Sequence, residues 1–310
     1  MDAALTSPLG IFTWTFVGTA FIAILFGNGL IIAVNGKQWL QNRKMVPSDF
    51  LLTNLSIFRL LSYLTFILGH VLEVTPGDSY IYIFTKEVIN FTSIFSVHIS
   101  LWCASWLSVL YCVKVTNFAN HFFLWLKPRI NVLSIRLLGI SISSLMIFSI
   151  PFFNSYTGHK KVCNMTRNLS VNVSQNQICK NLFVTFRLFQ IIFASINFTI
   201  SVTASIVLIL SLWKHIRNLK KSGVGIKDLT TQMHIRVIKT LLLYIFFYSL
   251  YFAGMILFSS NTFLNETRIE LLSDILMTIF PSAHTIIIVL TNPKLKTVVA
   301  HILDIRKMAS

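Results

Sequence analysis

The chain has 310 residues, 55% of them apolar and 12% charged, with a mean hydropathy of +0.72. Soluble chains carry about 25% Asp, Glu, Lys and Arg, so an ordinary soluble domain is excluded. The net charge of +16 would suggest nucleic acid on a soluble chain, but here the charges sit between long apolar runs, and no nucleic acid is expected as a partner.

Residues 1–10 carry one Asp and no basic residue, the wrong start for a cleaved signal peptide. They lead into the first apolar run, 11–34. A bilayer core about 30 Å thick needs roughly 20 apolar residues to cross it as a helix, and six further runs of that kind follow: 50–71, 88–113, 130–153, 182–213, 237–259 and 271–290. The second contains Arg59 and the fifth, long enough to tilt or project, contains Arg187. The alternating ten-residue segments of a membrane β-barrel are absent. The expected fold is an all-α membrane protein, one seven-transmembrane helix bundle spanning residues 1–310. From Asn292 the tail places Leu295, Val298, Val299 and Ile302 among Lys294, Lys296 and Arg306, which predicts a short amphipathic surface helix against membrane lipid.

Orientation follows from the basic residues in the loops and beside the span ends. Eighteen of the 26 Lys and Arg fall in the loops after spans one, three and five and in the tail, and six fall on the opposite side. The amino terminus is therefore expected outside and the tail inside. Acceptor tripeptides for N-glycosylation agree: Asn164, Asn168 and Asn172 lie in the second outer loop and Asn265 in the third. Cys163 and Cys179 share that second loop, in an oxidising compartment, and are candidates for a disulfide. Cys103 and Cys112 lie nine residues apart on one helix, about 13 Å at 1.5 Å per residue, so they are expected as buried free thiols.

Short loops fit a receptor better than a transporter, for which paired broken helices in two halves are not found. The spans hold no reactive constellation: His70, His98, His284 and Asp274 have no ligand-like spacing, so neither an enzyme, a metal nor a cofactor is expected. The commonest seven-helix receptor signatures are also missing. Tyr111-Cys112-Val113-Lys114 closes the third span without an acid–arginine pair, the sixth has no Trp-x-Pro, and Asn292-Pro293 is not followed by Tyr.

Arg59 lies ten residues into the second span. A charge at the bilayer centre costs at least ~2.5–3.5 kcal/mol on insertion scales, so it should face polar partners inside the bundle, with Asn28 on the first span and Ser282 or Thr285 on the seventh as candidates. Two readings stand side by side: a network that holds the resting state, or an arginine that is only structurally satisfied. Ser93, Val97 and His98 share one helical stripe on the third span.

Several segments form an ordered set along the chain. These are Leu25-Phe26-Gly27-Asn28-Gly29 with Val34-Asn35; Asp49-Phe50-Leu51-Leu52 through Leu55-Ser56-Ile57-Phe58-Arg59; and Leu107-Ser108-Val109-Leu110-Tyr111-Cys112-Val113-Lys114 on to Phe118. Phe123-Leu124-Trp125-Leu126-Lys127-Pro128-Arg129, Ser211-Leu212-Trp213-Lys214-His215, Lys227-Asp228 with Thr231 and His234, and Pro281-Ser282-Ala283-His284 before Asn292-Pro293-Lys294 complete the set. Taken in order, they resemble the bitter taste receptor family, taste receptor type 2, of G-protein-coupled receptors. There are departures: Asn197 stands where the family's fifth span usually has Pro, Leu110 and Cys112 replace Phe residues beside Tyr111, and Ser93 and Val97 stand where many members carry Trp and Asn.

The resemblance implies a multi-pass plasma-membrane receptor for small bitter agonists, coupled to a heterotrimeric G protein of the gustducin or Gi-like kind. It implies a ligand chamber between the outer halves of the third, sixth and seventh spans, where Tyr251 and Asp274 join Ser93, Val97 and His98. With Ser93 and Val97 small, that site should be roomy and largely apolar. Asp274 reads as an anchor for a cationic ligand or as a helix N-terminal acid, and His70 as a pocket or an interface residue. On the inner side Tyr111, Lys114, His215, His234 and Lys239 surround the space where the G protein docks, or, for the lysines, simply lie beside anionic lipid. The competing expectations are a vomeronasal type 1 pheromone-like receptor and, from a different class, a small membrane transporter.

Overall fold

The computed structural model describes the backbone of residues 7–74, 80–116, 121–166, 173–221, 229–264 and 267–308, with most of the side chains within them. The described residues form nine helices and no strand: α1 (Pro8–Asn42), α2 (Pro47–Val74), α3 (Tyr80–Val115), α4 (His121–Leu126), α5 (Ile130–Thr166), α6 (Val173–Lys221), α7 (Leu229–Leu264), α8 (Thr267–Thr291) and α9 (Pro293–Met308). Seven of them, α1, α2, α3, α5, α6, α7 and α8, are long and apolar enough to cross a membrane. Helices are what such a chain must form, because in hydrocarbon every backbone N–H and C=O has to be satisfied within the segment.

Local chemistry fixes the ends of α1. The Ser7 hydroxyl accepts from the Gly10 N–H at 3.0 Å and Pro8 occupies the first helical position, the preferred pairing at a helix start. At the other end Arg43 takes a left-handed φ of 53° and its N–H donates to the Trp39 carbonyl at 2.8 Å. That cap is normally glycine, and Arg43 is the one non-glycine residue with positive φ among the described residues. Pro47 then opens α2 with Asp49 in its first turn.

The helices pack as a closed ring in which α1 touches α2 and α8, α7 touches α8 and α6, and α3 touches α2, α5 and α6. α3 is the most deeply buried span and α5 lies outside it, against α2, α3 and α6. Phe26 (73% exposed) and Ile147 (67%) illustrate the lipid-directed surface. For reference, the end of the bundle where α1 begins is here called the N-face and the end carrying α9 the tail face.

Two expectations about the connections are corrected. The second outer loop, read as a soluble segment from 154 to 181, is largely helical, because α5 continues to Thr166 and α6 begins at Val173. Polar helix ends projecting past the apolar core carry no hydropathy signal, so the helices run beyond the apolar runs. The stretches apolar enough to cross a membrane, Ile130–Ile150 and Val184–Lys221, begin close to where the runs do. The loop before α5 also contains α4, whose Leu126 is buried and whose Trp125 is covered at 4.7 Å by Arg129 from the turn that follows. The amphipathic tail helix appears as expected in α9: Asn292 caps it, its side-chain oxygen accepting from the Lys294 N–H at 3.0 Å, and Leu295 is buried. Cys103 and Cys112 are buried and free. Asn168, Asn172 and Asn265 lie outside the described residues, as do the side chains of Asn164, Cys163 and Cys179.

Candidate functional site

Arg59, two per cent exposed, is the largest fully buried side chain among the described residues. It reaches from α2 to α8, where Nη1 donates to Thr285 Oγ1 at 3.1 Å and Nη2 to His284 Nδ1 at 2.7 Å. Arginine has no acceptor to offer, so His284 Nδ1 must be the acceptor, and its neutral ring carries the hydrogen on Nε2. Asn28 of α1 donates to the same Thr285 Oγ1 at 3.2 Å and to its own helix at Ile24 O, 2.8 Å. Thr285 completes the set by donating to the Pro281 carbonyl at 2.8 Å. Three helices are thus joined through one hydroxyl, and the Phe280 ring lies 5.7 Å from the guanidinium.

This arrangement identifies the partners of Arg59. Of the two seventh-span candidates, Thr285 is a partner and Ser282 is not: the Ser282 hydroxyl donates to Thr278 O at 2.8 Å within α8. His284 was missed as a partner. It stands one residue before Thr285 in the Pro281-Ser282-Ala283-His284 motif, and a polar ring on the same helical turn as a needed hydroxyl was the available signal. Close approach makes the contact possible, since a Cβ on Gly27 of α1 would lie 2.4 Å from Thr285 Cγ2.

Beside this network stands an aromatic column. Tyr244, Tyr248 and Tyr251 of α7 pack with Leu101 of α3 and Phe280 of α8, with Val97 against them. Tyr248 stacks on Phe280 at 4.5 Å and Phe280 on His284 at 5.4 Å, so the column abuts the Arg59 network directly. Gly254 lets α7 approach α8 closely, for a Cβ there would meet Leu276 Cβ at 2.8 Å. On the α6 side the column is tied by Asn197, the residue that stands where the family usually has Pro. With its amide turned to suit its neighbours, the nitrogen lies 2.5 Å from Ser105 Oγ and 2.7 Å from Tyr248 Oη, and the oxygen accepts from the Trp102 N–H at 3.1 Å. One turn on, the Ser201 and Tyr244 hydroxyls meet at 2.5 Å.

The expected chamber residues are only partly brought together. Val97 packs against the column that contains Tyr251. Ser93 turns towards α2, its hydroxyl donating to Ser62 O at 3.3 Å. His98 turns the other way and lines a cavity of about 10 Å³ among α3, α5 and α6. The three residues of the stripe point to different neighbours because α3 is covered from several directions, by α2, α5 and α6. His70 sits at the α1–α2 interface, 4.8 Å from Trp14 and 4.4 Å from Phe66, which is the interface reading. Asp274 is half-buried and lies seven residues inside α8, whose first turn holds Glu270 instead. The helix N-terminal reading of Asp274 therefore fails, because α8 starts earlier than the apolar run did.

At the tail face His215 of α6 and His234 of α7 meet edge to face at 5.1 Å. Tyr111 is 41% exposed, Lys114 half-buried and Lys239 exposed. Lys294 of α9 bridges to Asp49 of α2 at 3.1 Å and to Gln38 of α1 at 2.9 Å, which fastens the tail helix to the bundle. No group of three or more potential metal ligands occurs among the described residues. The buried polar set of hydroxyls, amides, one imidazole and one guanidinium is suited to holding helices in register.

Comparison with known proteins adds a second line. A family model described as taste receptor protein (TAS2R) matches residues 5–307. Taste receptor type 2 member 7 of Pongo pygmaeus is 31% identical over 289 residues, covering 90% of this chain and 88% of its own. Member 7 of Papio hamadryas is 29% identical over 282 residues, with 90% and 88% covered. Member 3 of Gorilla gorilla gorilla is 29% identical over 290 residues, with 90% and 89% covered.

Proposed function

Because the chain belongs to the TAS2R taste receptor family, we propose that it is a chemosensory G-protein-coupled receptor that binds small bitter compounds between α3, α7 and α8 near the N-face. The protein is a multi-pass plasma-membrane receptor, not a member of an enzyme class. The observation that carries the reading is the family match across nearly the whole chain, on a bundle of seven long apolar helices.

In this reading the N-face is outside, consistent with the basic residues gathered at the other end. Val97, Tyr251 and Asp274 border the ligand, with Ser93 at its edge. Ligand entry would press on the Tyr248–Phe280 stack, which touches both the Arg59 network and Asn197. A rearrangement there is passed to α6 and α7, whose tail-face ends meet at His215 and His234. Tyr111, Lys114, His215, His234 and Lys239 then form the surface on which a heterotrimeric G protein docks. The amide of Asn197, in place of a helix-breaking proline, keeps the α6 N–H available at this level and adds a contact to α7.

The test is expression in cells with a promiscuous G protein and challenge with a panel of bitter compounds. The expected result is compound-dependent calcium release, with no uptake of labelled compound into vesicles that contain the protein. Silence across the panel despite verified surface expression counts against the receptor reading. Accumulation of the compound in vesicles would replace it with a transporter. Within the responding set, Asp274→Asn should weaken cationic agonists selectively; equal potency across all of them removes Asp274 from the ligand site.

A further inference from the structure

Two tiers of polar side chains tie α3, α6 and α7 together inside the bundle. In the tier nearer the N-face, the Asn197 amide of α6 meets Ser105 of α3 at 2.5 Å and Tyr248 of α7 at 2.7 Å. One turn closer to the tail face, the Ser201 hydroxyl of α6 meets Tyr244 Oη of α7 at 2.5 Å and lies 3.5 Å from Ser108 Oγ of α3. Tyr244 is bonded to Ser108 as well, and both Ser201 and Tyr244 are buried. Beyond this second tier the three helices meet through the apolar side chains of Cys112, Ala204, Leu208, Leu212, Ile216 and Ile238. The two kinds of contact are unequal in a membrane. Lipid tails are as apolar as leucine and replace such a cluster at little cost, but they offer nothing to a hydroxyl. From Tyr244 towards the N-face α7 is also held by α8, on which the Tyr244 ring packs against His284 and Phe280 at 5.0 and 5.6 Å.

We propose that the Ser201–Tyr244 hydrogen bond is the latch that keeps the tail-face ends of α6 and α7 together, and that its release opens the surface between them. The inference rests on the receptor reading above, in which a G protein docks on that surface. With α7 anchored to α8 above Tyr244 and lipid-exchangeable contacts below it, the first turns of α7 swing about the Asn197–Tyr248 tier. The lower tier is the tie that such a swing breaks first. Ser201 and Tyr244 are therefore positioning residues, acting through the placement of α7. Release strands no polar group. Ser108 gives its own hydrogen to the Ala104 carbonyl at 3.0 Å and still accepts from Tyr244. Ser201 can turn its hydroxyl to the carbonyl one turn back, as Thr199 and Ser205 do. The resting state is thus held by the margin of a single hydrogen bond, which a ligand pressing on the neighbouring Tyr248–Phe280 stack can tip.

The test uses the full-length receptor in lipid nanodiscs, without agonist. Arg217 of α6 and Arg236 of α7, both exposed, are each replaced by a keto amino acid carrying a nitroxide, and the distance between the two labels is read by pulsed electron spin resonance. Tyr244→Phe removes the hydroxyl and keeps the ring. Ser201→Ala removes the same tie from the α6 side, and stands alone should the first variant not reach the membrane. Each should enlarge the longer-distance population by roughly three- to twentyfold, the span that one interhelical hydrogen bond covers in a membrane. Ser249→Ala deletes an exposed α7 hydroxyl that donates to its own helix at Ile245 O, 2.9 Å, and should leave the distances as in the parent. In cells with a promiscuous G protein, Tyr244→Phe and Ser201→Ala should also raise agonist-free signalling per surface receptor several-fold, which a merely structural loss would lower. Distances that coincide in parent and Tyr244→Phe overturn the proposal. So does opening in Tyr244→Phe but not in Ser201→Ala, equal opening in Ser249→Ala, or opening with unchanged agonist-free signalling in a receptor that answers bitter compounds. Opening in a chain that signals under no condition supports the latch and removes the receptor reading instead.

Discussion

The wall formed by α1, α2 and α8 and the wall formed by α3, α6 and α7 are each closed by one buried polar side chain, but the two solve the problem differently. The first is closed by Arg59, a cation whose Nη1 and Nη2 donate to two neutral acceptors while its buried Nε has no hydrogen-bond partner. The second is closed by Asn197, an uncharged amide that both gives and takes. A buried charge is costly when a partner is removed, whereas taking the charge away along with its partner can be nearly neutral. A buried amide shows the same asymmetry on a smaller scale, because an orphaned neutral donor or acceptor costs less than an orphaned charge. The difference teaches that the cation wall depends on α8 supplying acceptors, while the amide wall depends on hydrogen bonds shared among several modest contributors.

The sharpest way to break the comparison is His284→Leu. It leaves the guanidinium with Thr285 alone, and a hydrogen bond to a charged group contributes about 1.5–3 kcal/mol. Thermal melting of the purified receptor should fall by that equivalent, and surface expression with it. Arg59→Met should cost less, and the double variant should recover part of the loss of His284→Leu. If Arg59→Met is instead the more damaging, the cation itself holds the wall and the contrast collapses.

Next in size is Gly27→Ala, which drives a Cβ to 2.4 Å from Thr285 Cγ2. Overpacking of this kind costs roughly 1–3 kcal/mol. Gly18→Ala, with nothing within 4 Å, is the control and should melt no lower than the parent, since alanine in a helix interior is favoured over glycine by about 0.5–1 kcal/mol. On the amide wall, Asn197→Leu should lower stability by about 1 kcal/mol, the net value of an ordinary buried hydrogen bond, and a loss as large as that of His284→Leu would erase the distinction between the walls. The smallest effect belongs to Asp49→Asn. The Lys294–Asp49 pair is partly exposed, with Lys294 at 49%, and such pairs contribute about 0.2–1 kcal/mol. The difference between parent and variant should shrink further as salt is raised.

The seven spans were legible because twenty-residue apolar runs are a coarse, redundant signal, tolerant of any one residue. Arg59 was legible as a problem, since a charge amid Leu and Phe demands partners, and Asn28 and Thr285 were named by their residue types and depth. His284 was not, because which face of α8 meets α2 depends on close packing at Gly27 and Gly254, and hydropathy does not report glycine contacts. The divergence of Ser93, Val97 and His98 has the same origin. A stripe shares a helix face only when one neighbour covers that face, and α3 is covered from several directions. The helical ends of α5 and α6 escaped notice because polar residues that extend a helix into water look like a loop.

The hydrogen bonds around Thr285 all run in one sense. Asn28 and Arg59 give to it, Arg59 gives to His284, and Thr285 gives onward to the Pro281 carbonyl. The chain begins at groups that hold only donors at these contacts and ends on an oxygen that can only accept, so no second arrangement of its hydrogens exists. The Ser201–Tyr244 contact, where either hydroxyl can be the donor, keeps that freedom. The Arg59 network therefore carries no residual proton entropy, and it cannot act as a proton relay: a hydrogen displaced along it would have nowhere to be replaced from.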